Sequence, residues 1–144
     1  MKKMRYIIWT LIISSIIPQK ILIPMDEEQN DHLKAYGIAF LSLQNEGPLN
    51  WLLNYKGGSF LLDGKESIQK ECMLRGVSYY TVDGSQINNI YKTIEENNME
   101  IVLLEKVPKI AVYSPPGKQP WDDAVTLALT YAEIEYDTIF DDEV

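Results

Sequence analysis

The sequence predicts an α/β fold of three layers, with a mostly parallel sheet between helices and a chain that ends inside a second α/β unit. Three observations predict it. Strand-like and helix-like segments alternate along most of the chain, which is the pattern of βαβ units. Lys20-Ile-Leu-Ile-Pro24 is apolar without alternation, as expected of a parallel strand covered on both faces. Finally, Lys20-Ile-Leu-Ile-Pro24 and Lys109-Ile-Ala-Val-Tyr113 each open a strand, loop, helix, strand sequence. That likeness reads either as a weak internal duplication or as the common look of Rossmann- or flavodoxin-like units.

The elements follow in order. After the first strand, Met25 to Asp31 is a polar loop whose acids suit a helix start. Leu33, Tyr36, Phe40 and Leu43 recur at helical spacing, with Ala35, Gly37 and Ala39 small enough for close packing, and Gly47-Pro48 stops the helix. Trp51 to Tyr55 reads as a strand and Lys56-Gly-Gly-Ser59 as a turn, while Phe60-Leu-Leu62 is too short to assign. A helix over Glu66 to Leu74 places Ile68 and Cys72 four apart, with Gly76 just past its end. Val77 to Val82 is rich in β formers, and Asp83-Gly84-Ser85 is a turn and cap. Ile87, Ile90, Tyr91 and Ile94 fall at i, i+3, i+4 and i+7 of a third helix, which Asn97-Asn98 ends. Ile101 to Leu104 is strand-like, and Glu105 to Pro108 connects to a second unit. In that unit Lys109 to Tyr113 is a strand, 114–120 a loop, Trp121 to Ala132 a helix and Tyr136 to Phe140 a strand.

The chain has 144 residues and begins with Lys2, Lys3 and Arg5 followed by the apolar run Tyr6 to Ile17. A basic start and a short apolar stretch match a secretory signal over residues 1–18, and the run is too short for a spanning helix. Export to the periplasm or cell envelope is therefore expected, with cleavage near Gln19 and no stable membrane span afterwards. Without that segment, 10 basic residues stand against 21 acidic ones, a net charge of −11. So acidic a surface, with no basic stripe, argues against nucleic acid as a partner. Cys72 is the single cysteine, so no intramolecular disulfide can form. The expected division is a signal peptide over 1–18, an α/β domain over 19–107 and an incomplete second α/β domain over 108–144.

The stretches KILIPMDEEQNDHLKAYGIAF, NWLLNYKGGSF and KIAVYSPPGKQPWDDAVTLALTYAEIEYDTIFDDEV resemble a family of exported bacterial proteins, typical of Bacteroidetes, labelled asparagine synthetase B. The resemblance covers nearly all of Gln19 to Val144. It implies a longer protein whose later region is like a class I glutamine amidotransferase domain, with Lys109 to Val144 as its first strand, helix and second strand. The label implies asparagine synthesis with glutamine hydrolysis, yet the chemistry for it is missing here. Glutamine-dependent synthetases use an amino-terminal cysteine, whereas Met1 is followed by Lys2 and a start near Gln19 exposes none. The S-G-G-x-D-S loop that binds ATP pyrophosphate is also absent, since Ser59 follows Gly57-Gly58 in the wrong order.

Candidate site residues divide between functional and structural readings. Asp26 and Glu27, with Glu28, follow the first predicted strand, where ligands bind in open parallel sheets. Acids there can hold a metal through oxygen, but no calcium-loop pattern is present, and helix capping is the structural reading. Gly57, Gly58 and Ser59 could hold an anion on consecutive N–H groups or simply make a turn. Lys118 and Trp121 flank the start of the last helix, as an anion site or as packing. Asp141, Asp142 and Glu143 sit where an acid meets ribose in dinucleotide folds, without the glycine fingerprint. Cys72 lies inside a helix instead of on a glycine-flanked elbow, and reads as a buried thiol. His32, the single histidine, reads as a solvent-facing residue of the first helical turn. No catalytic set, metal site or cofactor is expected. A binding or structural role is favoured, with an unspecified small molecule as partner. The alternative is an amidotransferase-like hydrolase or glutamine-hydrolysing synthetase whose catalytic residues lie beyond Val144.

Overall fold

The computed structural model describes residues 19–114 and 124–140. The expected signal segment 1–18, the candidates Lys118 and Trp121, and the acids Asp141, Asp142 and Glu143 lie outside the described residues. The first eight elements are β1 (Lys20–Ile23), α1 (His32–Asn45), β2 (Leu49–Leu53), β3 (Ser59–Asp63), α2 (Glu66–Arg75), β4 (Tyr80–Val82), α3 (Gly84–Glu96) and β5 (Glu100–Leu104).

The five strands form one sheet in the order β4-β1-β3-β2-β5, and every neighbouring pair is antiparallel. This corrects the expected mostly parallel, Rossmann- or flavodoxin-like sheet. The physical reason lies at residues 54–58. The stretch left unassigned, 60–62, is the middle of β3, and only a tight turn joins it to β2. A parallel crossover needs about a dozen residues or more, so a link this short makes a hairpin. β3 then lies between β1 and β2, which run in the same direction on either side of α1. β1 likewise lies between β3 and β4, the strands that α2 joins. This is the split β-α-β, ferredoxin-like arrangement, extended by α3 and β5. Alternating strands and helices arise in it as readily as in a parallel sheet.

Ile21, Leu22 and Ile23 are continuously apolar because helices cover both faces of an antiparallel sheet. On one face Ile21, Ile23, Phe60 and Leu62 pack under Ala35, Ile38 and Ala39 of α1 and Ile68 and Cys72 of α2. On the other, Leu22, Leu52, Leu61 and Val82 pack under Ile90 and Ile94 of α3. Asp31 caps α1 by accepting from the Lys34 amide at 2.9 Å, and Gly76 closes α2 at a φ of 69°. Asp83 and Gln86 make a reciprocal capping box at the start of α3.

β6 (Ala111–Tyr113), α4 (Ala124–Ala132) and β7 (Asp137–Ile139) follow. β6 and β7 are parallel and pair with each other, apart from the larger sheet. This unit sits on α1. The Ala132 carbonyl lies where a Cβ on Gly37 would be, Lys34 and Arg75 both pair with Glu133 at 2.6 and 2.9 Å, and Tyr131 donates to Asp31 at 2.5 Å. Among the described residues, no helix is long and apolar enough to cross a membrane.

Candidate functional site

The β2–β3 turn runs against the end of β1. Asn54, Lys56, Gly57 and Gly58 all have positive φ, of 64°, 45°, 76° and 92°. So many left-handed residues in one turn persist only where the surroundings enforce them. The Met25 amide donates to the Lys56 carbonyl at 2.8 Å, Gly58 N–H donates to the Tyr55 carbonyl at 3.1 Å, and buried Ser59 donates its hydroxyl to the same carbonyl at 2.9 Å. The Trp51 indole donates to the Gly58 carbonyl at 2.9 Å. A Cβ on Gly57 would collide with the Met25 carbonyl, so glycine is required there by contact as well as by conformation.

This contact brings two predicted candidates together. Asp26 lies beside Gly57, and the Lys56 ammonium sits 3.7 Å from the Asp26 carboxylate and 2.5 Å from that of Glu28. Glu28 also accepts from the Tyr80 hydroxyl at 3.1 Å, while Lys56 lies 5.8 Å from the centre of the Tyr80 ring. The hydrogen bond to Glu28 holds the Lys56 ammonium above its ordinary range, and the bond from Tyr80 to Glu28 raises the phenol. Glu27 is exposed and stands apart from this cluster. His32 packs back on the loop, its Nε2 3.1 Å from the Asp26 carbonyl.

Beside the cluster a groove of about 530 Å³ opens over the α3 face of the sheet. Leu22, Val82 and Ile90 make it apolar, Tyr55, Lys56 and Tyr80 line it from the turn and β4, and Asn89 and Thr93 line it from α3. Apart from Glu28, the groove residues outside the turn escaped sequence reasoning, because they come from distant segments that only the sheet order brings together. A weak signal was present in α3, whose polar positions Asn89 and Thr93 adjoin its apolar stripe.

The cluster is compensated. One ammonium faces two carboxylates, so an incoming anion would have to displace Glu28 or Asp26, and of the two glycine amides that of Gly58 is already bonded to the Tyr55 carbonyl. Cys72 cannot serve as a nucleophile in this fold: it is fully buried, and burial pushes its thiol up to about 12. Among the described residues, no three His, Cys, Asp or Glu side chains gather as metal ligands would. A separate apolar hollow of about 280 Å³ lies between α1 and the second unit, lined by residues including Tyr36, Phe40, Trp51, Leu104, Ile110 and Ile134. Comparison with known proteins finds no matching family model, no matching curated protein and no matching solved structure.

Proposed function

We propose that this protein is an exported, non-catalytic binding module that holds a small neutral or zwitterionic molecule in the groove between α3 and the Lys56 turn. The observation that carries this reading is the composition of that groove: an apolar floor, two tyrosine rings, amide and hydroxyl groups on α3, and a Lys56–Glu28 pair of opposite charge at its edge. An apolar pocket with a few convergent polar groups is the ordinary form of a small-molecule site. A zwitterion complements the ion pair without a net charge mismatch. Free amino acids and monosaccharides have the right size and polarity. Saturation-transfer NMR with panels of both is the test. Binding should appear with the unaltered protein and be lost in Tyr80→Ala and in Asn89→Leu, with circular dichroism unchanged. No binding from either panel, or binding indifferent to both substitutions, would sink the reading.

A second reading is supported by the parallel β6-α4-β7 unit and by the resemblance to the exported family labelled asparagine synthetase B. In it the whole protein is an amidotransferase-like hydrolase or glutamine-hydrolysing synthetase, with a nucleophile beyond Val144. Ammonia release from glutamine by the longer protein, and none by this chain, would favour it.

A further inference from the structure

The two edges of the five-stranded sheet are built differently. At one edge β4 has three residues, and such short strands are a common protection against pairing with another chain. At the other, β5 runs for five residues, Glu-Ile-Val-Leu-Leu, and pairs with β2 along its whole length. No described strand covers its far side. Of the usual edge protections β5 carries only a charge at its first residue, Glu100, with no proline, glycine, bulge or lysine within the strand. Ile101 is 38% exposed and Leu103 56%, so the open backbone edge is flanked by open apolar side chains.

We propose that β5 is the surface through which two copies of this chain pair, antiparallel and edge to edge, joining their sheets into one. Self-complementarity of the sequence around β5 singles out a second copy as the occupant. A two-fold axis perpendicular to the sheet keeps each side chain on its own face, so a symmetric register must place one residue opposite itself. Centring on Val102 sets Glu100 against Leu104 and Lys106 against Asn98. Centring on Leu104 sets Lys106 against Val102 and Glu105 against Leu103. Centring on Leu103 sets Glu100 against Lys106 of the second copy, twice by symmetry, with Ile101 against Glu105, Val102 against Leu104 and Leu103 against Leu103. Of these three registers, only the last matches opposite charges across the strands, and it also covers the most exposed apolar side chain of β5. Glu105 and Lys106 follow the end of β5, with a bend at Lys106, so this register requires the strand to extend by two residues when the copies pair.

Sedimentation equilibrium over micromolar to submillimolar concentrations tests the pairing, with circular dichroism as the check on folding. The unaltered chain should show a reversible monomer–dimer equilibrium. Glu100→Lys and Lys106→Glu each place like charges opposite one another twice, and should weaken the dimer about tenfold. The double variant E100K/K106E restores opposite charges and should recover the original dissociation constant. Leu103→Lys puts two ammonium groups together on the axis and should leave the chain monomeric. A chain that is monomeric throughout overturns the proposal, including one whose β5 amides become protected only when another protein is added. A dimer indifferent to both single reversals overturns it too, as does one that the double reversal fails to restore.

Discussion

A Cβ on Gly37 would meet the Ala132 carbonyl and then the Arg75 guanidinium, because α4 ends directly against α1 at this buried position. Two effects of Gly37→Ala therefore have opposite signs. Within α1 alone, alanine is favoured over glycine by about 1 kcal/mol. Against α4, overfilling a closed contact costs about 1–3 kcal/mol, and the obstacle is backbone, which cannot swing aside as a side chain would. The expected outcome is a first unit as stable as before or more so, with α4 displaced. Amide hydrogen exchange checks it: protection should fall in α4 and persist in β1 and β3. Equal protection of α4 in both proteins would show that the contact does not hold the second unit in place.

Helix α3 shows which sequence signals carry weight at the scale of elements. Its apolar residues at i, i+3, i+4 and i+7 and its Asp83 cap were readable, and the helix runs as that pattern requires. Its cap and its packing can be compared by substitution. Asp83→Ala removes one capping box and should cost about 1 kcal/mol. Ile94→Ala empties a position that is 3% exposed over Leu52 and Leu61 and should cost about 2–5 kcal/mol. Urea unfolding of both variants measures the difference, and a larger loss from the cap would contradict the packing argument. The strands were less readable than the helices. β1 was legible as a buried strand, but burial on both faces looks the same whether its neighbours run parallel or antiparallel. The direction was encoded in the hairpin turn, where Lys56 at a φ of 45° and buried Ser59 gave no standard two-residue signal. The site was legible only in part for a related reason. Asp26 and Gly57 each follow a strand and do meet, yet Tyr80 and Asn89 reach the groove through a strand order that local sequence does not specify.

Viewed as a whole molecule, the described chain holds a five-stranded unit and a smaller two-stranded unit that meet at α1. Both cores of the larger sheet are closed by residues before Glu105. The second unit touches them through Gly37 and a cluster of charges, and leaves the 280 Å³ hollow between the two. Its seating should therefore respond to pH. The bond from Lys34 lowers the Glu133 carboxyl, outweighing its burial, and Arg75 adds to the effect. For Asp31 burial pushes upward, but the Lys34 amide and the Tyr131 hydroxyl outweigh it and the carboxyl again ends below its usual range. A carboxyl whose folded pKa is depressed contributes stability above its unfolded pKa, roughly 4, and loses it as pH falls through the folded value. Both groups are largely solvated, so each contribution is small. Loss of Glu133 charge matters more than exposure suggests, because Arg75 is partly buried, with its Nη1 already lacking a hydrogen-bond partner among the described residues. Protonation of Glu133 would leave that guanidinium with Glu71 as its remaining ion pair among the described residues. We therefore expect α4 to lose hydrogen-exchange protection between roughly pH 5 and pH 3, while β1 and β3 keep theirs. Glu133→Gln should start with the lower protection and show a flatter pH response. If the variant instead follows the same pH curve as the unaltered chain, the acid response belongs to other carboxylates, and the Glu133 cluster does not set how the second unit is seated.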